Sequence, residues 1–280
     1  MMKYNTKREE SFFRVLMFFS TVFIVGVLLL IVGSVLYKGI PSLNWKMLTT
    51  VPTGGYYFGE EGGIVNAIIG SVYLALGATG LAFILGWPIA LYMNVYLVSH
   101  HKTVNVIRFI FDVLWGVPSI VYGAFGFMLM VMLGVRASLL AGIITVSLFV
   151  VPIMVRAMDE TMKSVPRGLL ESSLSLGATR SEISYRIFSR KAFPGIITAI
   201  LLSFGRSIGD AASVLFTTGY TDRISTSLME PSATLPLSIF FQLSSPIEAV
   251  QDRAYASAAV LIVMVLIISL LSRFIGHHRF

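Results

Sequence analysis

From Val15 to Leu36 the chain carries about 22 consecutive residues without a charge. No other feature restricts the possible folds as much. A helix rises about 1.5 Å per residue, so a run of roughly 20 apolar residues matches the hydrocarbon thickness of a bilayer. Lys3, Lys7, Arg8 and Arg14 precede the run, as basic residues precede the apolar segment of a secretory leader. The run is longer than the roughly 7–15 residues of such a segment, and no clean small-x-small cleavage site follows it. It reads as a retained first membrane span.

Five further runs have the same character: one within Ile64–Ser99, then Val113–Val135, Ala137–Val155, Phe193–Tyr220 and Ala254–Ser272. The second is too long for one straight span, and Pro88 is expected to kink or end it. Gly134 and Arg136 separate the third and fourth, which predicts a tight hairpin. Of 280 residues, 56% are hydrophobic and 12% charged. That is more apolar surface than a soluble domain of this size can bury. The expected fold is all-α and polytopic, a single transmembrane domain over 1–280 with six transmembrane helices.

Six spans bring both termini to one side. Fourteen of the 21 Lys and Arg residues fall on the N-terminal tail, the 100–108 loop, the 163–191 segment and the C-terminal tail. The opposite side has five: Lys38, Lys46, Arg136, Arg223 and Arg253. Positive charge collects on the cytoplasmic side, so the N- and C-termini are expected to be cytoplasmic, in the inner membrane of a prokaryote. The same distribution speaks against nucleic acid as partner, because the formal charge of +7 lies at span ends and forms no stripe. There is no cysteine. His100, His101, His277 and His278 stand as two adjacent pairs without further ligands, so no metal site is expected. No G-x-x-x-x-G-K-[ST] occurs, so the chain has no P-loop for a nucleotide.

Two segments are expected outside the lipid: Met158–Ala192 on the cytoplasmic side and Thr221–Asp252 on the other. In the first, Leu169, Leu170, Leu174 and Leu176 give an apolar side to a short helix. Gly177 ends it, and a second, basic helix begins near Thr179. Such a pair is too short to fold alone. It suits a knob filling a groove on another protein, or an amphipathic loop lying on the headgroups. In the second, Leu235, Leu237, Ile239, Phe240 and Phe241 suggest an interfacial helix.

The fifth run holds two ions, Arg206 and Asp210, in an otherwise uncharged stretch from Phe193 to Tyr220. On a continuous helix their i, i+4 spacing puts them on one face, beside a small-residue ridge of Gly205, Gly209 and Ser213. Each charge at mid-bilayer costs about 2.5–3.5 kcal/mol on insertion scales, so both are expected to face protein or water. Either the pair fixes packing or it marks a substrate route, and intramembrane ions favour the route.

Glu171, Gly177 and Ile187 repeat the spacing of the EAA loop of ABC importer permeases, with Ser172 and Ser173 in place of the two alanines. GGIVNAIIGSVYLA (62–75), IRFIFDVLWGVPSIVYG (107–123), VPIMVRAMDETMKSVP (151–166) and RSIGDAASVLFT (206–217) resemble the phosphate-uptake permeases. MEPSATLPLSIFFQLSSP (229–246) resembles the PstA-type in particular. The resemblance covers nearly the whole chain beyond residue 60. It implies a type I ABC importer permease of MetI-like architecture, with a core over about 64–275 and a coupling loop over about 159–192. It implies a homologous second permease (PstC-type), an ATPase dimer (PstB-type) that uses ATP and Mg, and an external phosphate-binding protein (PstS-type). This chain itself would bind no cofactor and catalyse no reaction.

On that resemblance Leu170, Glu171, Leu174 and Gly177 would couple to the ATPase. Arg206, Asp210 and Arg156 would line the substrate pathway. Arginine offers a planar fork of donors to a dehydrated phosphate, and a carboxylate nearby keeps the arginine oriented and the binding transient. The phosphate permeases carry Glu where this chain has Asp210. Arg156 is equally well read as a topology-setting charge. Asp112 matches an acidic family position and reads as a charge complementing a helix N-terminus. Other oxyanions (molybdate, sulfate, phosphonate) remain alternative substrates. A stand-alone secondary anion carrier is an alternative class, though no inverted repeat or paired broken helix stands out.

Overall fold

The computed structural model describes residues 6–53 and 62–277. Lys3 and His278 lie outside them. Among the described residues the regular elements are helices, and one isolated bridge pairs Pro52 with Gly62. Helix α1 (Thr6–Ser42) takes up the first apolar run. Its side chains from Phe12 to Ile31 are largely exposed, so this helix needs lipid around it. Asn44 caps the short α2 (Trp45–Thr49), its side chain accepting from Met47 N–H at 2.7 Å. Helix α3 (Val65–Leu91) passes through Pro88 and changes to a π-helical turn only at Tyr92–Tyr96.

The third run is a broken element rather than one span over Val113–Val135. Helix α4 (His101–Gly116) and α5 (Ser119–Leu133) meet at 91°. A proline disfavours helical backbone in the residue before it, and Val117, before Pro118, is extended at φ −71° and ψ 128°. The expected hairpin is present. Gly134, at φ +66°, ends α5 in the left-handed region that suits glycine. Ser138 then caps α6 (Leu139–Lys163) by accepting from Ala141 N–H. Helices α7 (Arg167–Ser175) and α8 (Arg180–Glu182) follow, and a π-helical turn at Ile183–Phe188 leads into α9 (Ser189–Ile208). Then come α10 (Leu235–Leu243) and α11 (Glu248–His277). Among the described residues five helical stretches are long and apolar enough to cross a bilayer, or six if the bent α4–α5 pair counts as one.

Helix α6 is central and packs on α3, α4, α5 and α9. Its Val146, Phe149, Met154 and Met158 are buried with Leu74, Ala78 and Ala82 of α3 and with Ile183, Phe188 and Ile196. Small residues on α3 let the two axes approach closely where lipid gives no hydrophobic drive for association. Helix α1 stands at the margin and docks on α11, tightly at Gly39, where a Cβ would overlap the Tyr255 carbonyl oxygen.

The fifth run departs most from expectation. The helix ends at Ile208, and residues 209–234 continue as irregular backbone. Ser213, Val214, Thr217, Thr218, Ala233 and Thr234 in this stretch are all buried. Irregular backbone survives in a membrane protein only where protein surrounds it and satisfies its polar groups. Here α6 supplies partners: Leu139 N–H donates to Glu230 O and Leu140 N–H to Leu228 O, both at 2.8 Å. Asn66 Nδ2 donates to Thr221 O at 2.7 Å, and Leu235 N–H donates to Ser71 Oγ at 2.8 Å. The expected interfacial helix forms with one face inward and one outward, Phe240 and Phe241 being exposed. Helix α10 buries Leu235, Leu237, Ser238 and Gln242 against α3 and α11.

Candidate functional site

Arg206 stands in the last turn of α9 and is exposed. Its guanidinium carbon lies 4.9 Å from the centroid of the Phe149 ring. That ring is buried in α6 and meets Tyr122 edge to face at 5.7 Å. Among the described residues no carboxylate lies within ion-pair distance of Arg206. A groove of about 330 Å³ runs beside it between α9 and α11, lined by Leu202, Gly205, Val265, Ile268 and Ser272.

Asp210 does not share a helical face with Arg206, because α9 has ended two residues earlier. Asp210 is buried and turned toward Ser213, whose backbone N–H donates to it at 2.9 Å and whose hydroxyl donates to the same oxygen. The carboxylate therefore starts the following turn. The expected small-residue ridge is likewise divided. Gly205 faces Ile268, Gly209 meets only its own helix, and Ser213 is past the helix end. The glycine that permits close approach here is Gly123 of α5, where a Cβ would come 2.8 Å from Ala212 O and 3.0 Å from the Ser213 Cα.

Arg156 lies elsewhere. Its Nε is 2.7 Å from Asp112 of α4, and its Nη1 is 3.2 Å from Asp159 one turn along α6. Asp112 is thus near the C-terminal end of α4, not at a helix N-terminus, and its partner is an arginine. Helix α4 starts at His101, a full three turns before the apolar run suggested.

Asp159, which the sequence reading passed over, organises this region. It is fully buried. Arg108 donates to it from Nε at 2.8 Å and from Nη2 at 2.9 Å, the forked geometry that guanidinium and carboxylate favour. Asn94 Nδ2 donates at 2.9 Å, and Lys163 Nζ stands 3.4 Å away. Burying one carboxylate among three cations is favourable only as a set, and removing one member leaves a charge without compensation. A cavity of about 300 Å³ adjoins the cluster, lined in part by Asn94, His101, Arg108, Lys163 and Leu170.

The segment after α6 forms as expected. Leu176 and Gly177 end α7, with Gly177 at φ +86°. Thr179 opens α8 with a capping box to Glu182. Arg180 Nη1 donates to Val95 O at 2.7 Å, fixing α8 to the π-helical turn after α3. Of the four candidate coupling residues, Leu170 points inward and is buried with Met162, Val165 and Phe188. Glu171, Leu174 and Gly177 are on the exposed side. Leu170 anchors the knob and the other three form its surface.

Residues 82–278 match the family described as binding-protein-dependent transport system inner membrane component. The chain is 34% identical over 240 residues to the phosphate transport system permease protein PstA of Xylella fastidiosa, covering 84% of this chain and 81% of that one. Over 275 residues it is 34% identical to PstA 1 of Mycobacterium tuberculosis, covering 94% and 88%. Among solved structures, a chain of the MetNI methionine ABC transporter in an inward-facing conformation superposes with a TM-score of 0.63 at 18% identity. That match covers 76% of this chain and 94% of that one.

Proposed function

Because the chain belongs to the family of binding-protein-dependent transport system inner membrane components, we propose that it is a permease subunit of an ABC importer for inorganic phosphate. The PstA relatives support the substrate, and the MetNI likeness supports the fold. One observation in the site carries the anion reading: Arg206 is a cation on a membrane helix, exposed at the chain surface and held over an aromatic ring, with its neighbouring carboxylate turned away.

An exposed cation at membrane depth needs a partner outside the chain. A second, PstC-type permease facing Arg206 would close a pathway between the two subunits, and a passing phosphate would take the guanidinium's donors. Arginine held by a ring rather than by a carboxylate keeps its charge available, and weak multi-point binding allows release. The Glu171, Leu174 and Gly177 surface would dock on a PstB-type ATPase, which would hold and hydrolyse ATP with Mg. The end of the bundle carrying residues 221–247 would receive a PstS-type binding protein. The distribution of Lys and Arg supports both termini in the cytoplasm.

The test is ATP hydrolysis by the reconstituted complex with its binding protein loaded in turn with phosphate, sulfate or molybdate. Stimulation by the phosphate-loaded form alone is expected. Stimulation by another oxyanion in preference to phosphate would reassign the substrate.

A further inference from the structure

The network around Asp159 lies one turn before the end of α6, next to the buried face of α7. Leu170 is buried there in one cluster with Met162 and Val165. The same carboxylate holds Arg108, and the next turn of α4 is held by Arg156 through Asp112. Helix α4 is therefore fastened to α6 at two successive turns, close to the surface that would meet the ATPase. Beyond the 91° bend its continuation, α5, begins at Ser119. The Tyr122 hydroxyl donates back across the bend to Leu114 O at 2.9 Å, so the two arms are tied at a fixed angle.

The far arm touches both ions of the candidate pathway through their supports. Tyr122 meets Phe149, the ring beneath Arg206. Gly123 abuts Ala212 and Ser213, and Ser213 is the partner of Asp210. Packed contacts thus run from α7 to Arg206 and Asp210, the kind of connected network along which coupling between distant sites travels when its elements have two arrangements.

We infer that α4–α5 is a bent lever relaying movement of the coupling surface to the Arg206 and Asp210 pathway, and that Asp159 is the positioning residue that grips it. The inference rests on reading those two residues as the pathway. Asp159 meets no substrate in this scheme. Its carboxylate keeps α4 moving as one body with the end of α6.

The test compares wild type, Asp159→Asn and Tyr122→Phe in complexes reconstituted with the phosphate-binding protein. ATP hydrolysis and uptake of labelled phosphate are measured on the same vesicles. A loosened lever lets hydrolysis continue while uptake falls, so phosphate moved per ATP is expected to drop by about five-fold or more in Asp159→Asn. Asp159→Glu is expected to restore part of it. A merely structural role would lower both rates in proportion, and an unchanged ratio in Asp159→Asn overturns the inference. If that variant fails to assemble, Tyr122→Phe decides, since it removes one hydroxyl at the bend: a lower ratio supports the lever and an unchanged ratio overturns it. Absence of phosphate uptake in the wild-type complex would instead overturn the substrate reading.

Discussion

The Arg206 guanidinium carbon sits 4.9 Å from the centre of the Phe149 ring, and Asp210, four residues on, is bonded to Ser213 instead. The two ions are thus supported separately. The arginine rests on a π face that attracts its charge without neutralising it. The carboxylate starts a turn whose backbone is buried.

Replacing the ring should weaken the arginine's hold without unfolding the chain. Phe149→Leu keeps an apolar side chain in the core but removes the π face, a loss of about 1 kcal/mol. The half-saturating phosphate concentration for vesicle transport is expected to rise by roughly five-fold, with assembly unchanged. An unaltered concentration dependence would show that the ring does not position Arg206.

Asp210 has a structural part that can be separated from its charge. Asp210→Asn keeps an acceptor for Ser213, whereas Asp210→Ala leaves buried donors without a partner, at a cost of about 1–3 kcal/mol. Thermal unfolding in detergent should place the Ala variant clearly below the Asn variant. Equal midpoints would remove the capping role.

Gly177 requires a left-handed backbone, with φ +86° and open space around it. Gly177→Val meets no steric neighbour, yet strains the turn by about 1–2 kcal/mol. The variant is expected to insert into the membrane and lose binding-protein-stimulated ATP hydrolysis. Normal stimulation would detach this turn from coupling.

The carboxylate of Glu230 is held below the ordinary range. Its main causes are hydrogen bonds from the backbone N–H and hydroxyl of Thr226, with a further N–H from Ser227. A lowered folded-state pKa means the stabilisation is full above the ordinary carboxylate range and is lost as pH falls through the depressed value. Amide protection at Thr226 and Ser227, corrected for intrinsic exchange, should be flat near neutrality and fall in acid. Glu230→Gln should flatten the acid limb.

Much of the architecture is legible from local pattern. The first and last spans, the Gly134 hairpin and the helix–Gly177–helix knob follow from apolar runs and turn chemistry that act over a few residues. The end of α9 does not. Residues 211–220 carry no charge and extend the uncharged run past the helix end, and buried irregular backbone needs no charged residue to mark it. The i, i+4 spacing of Arg206 and Asp210 reinforced the wrong continuation. The break at Pro118 carried a visible signal in the Val-Pro pair. The Asp159 cluster was legible only in part: Arg156 and Lys163 stand one turn either side of it on α6, but Arg108 and Asn94 are distant in sequence and meet it only once α3, α4 and α6 pack together. Asp112 sits near the end of α4 for a related reason: α4 begins in a polar stretch, so the apolar run marks its end rather than its start.

The central claim is that Arg206 lies on a phosphate route. The most direct measurement is uptake of labelled phosphate into vesicles holding the complete complex, with binding protein and ATP, for wild type beside Arg206→Ala. The account predicts uptake by wild type and none by the variant, with both complexes assembled. Uptake by Arg206→Ala at the wild-type rate would contradict it.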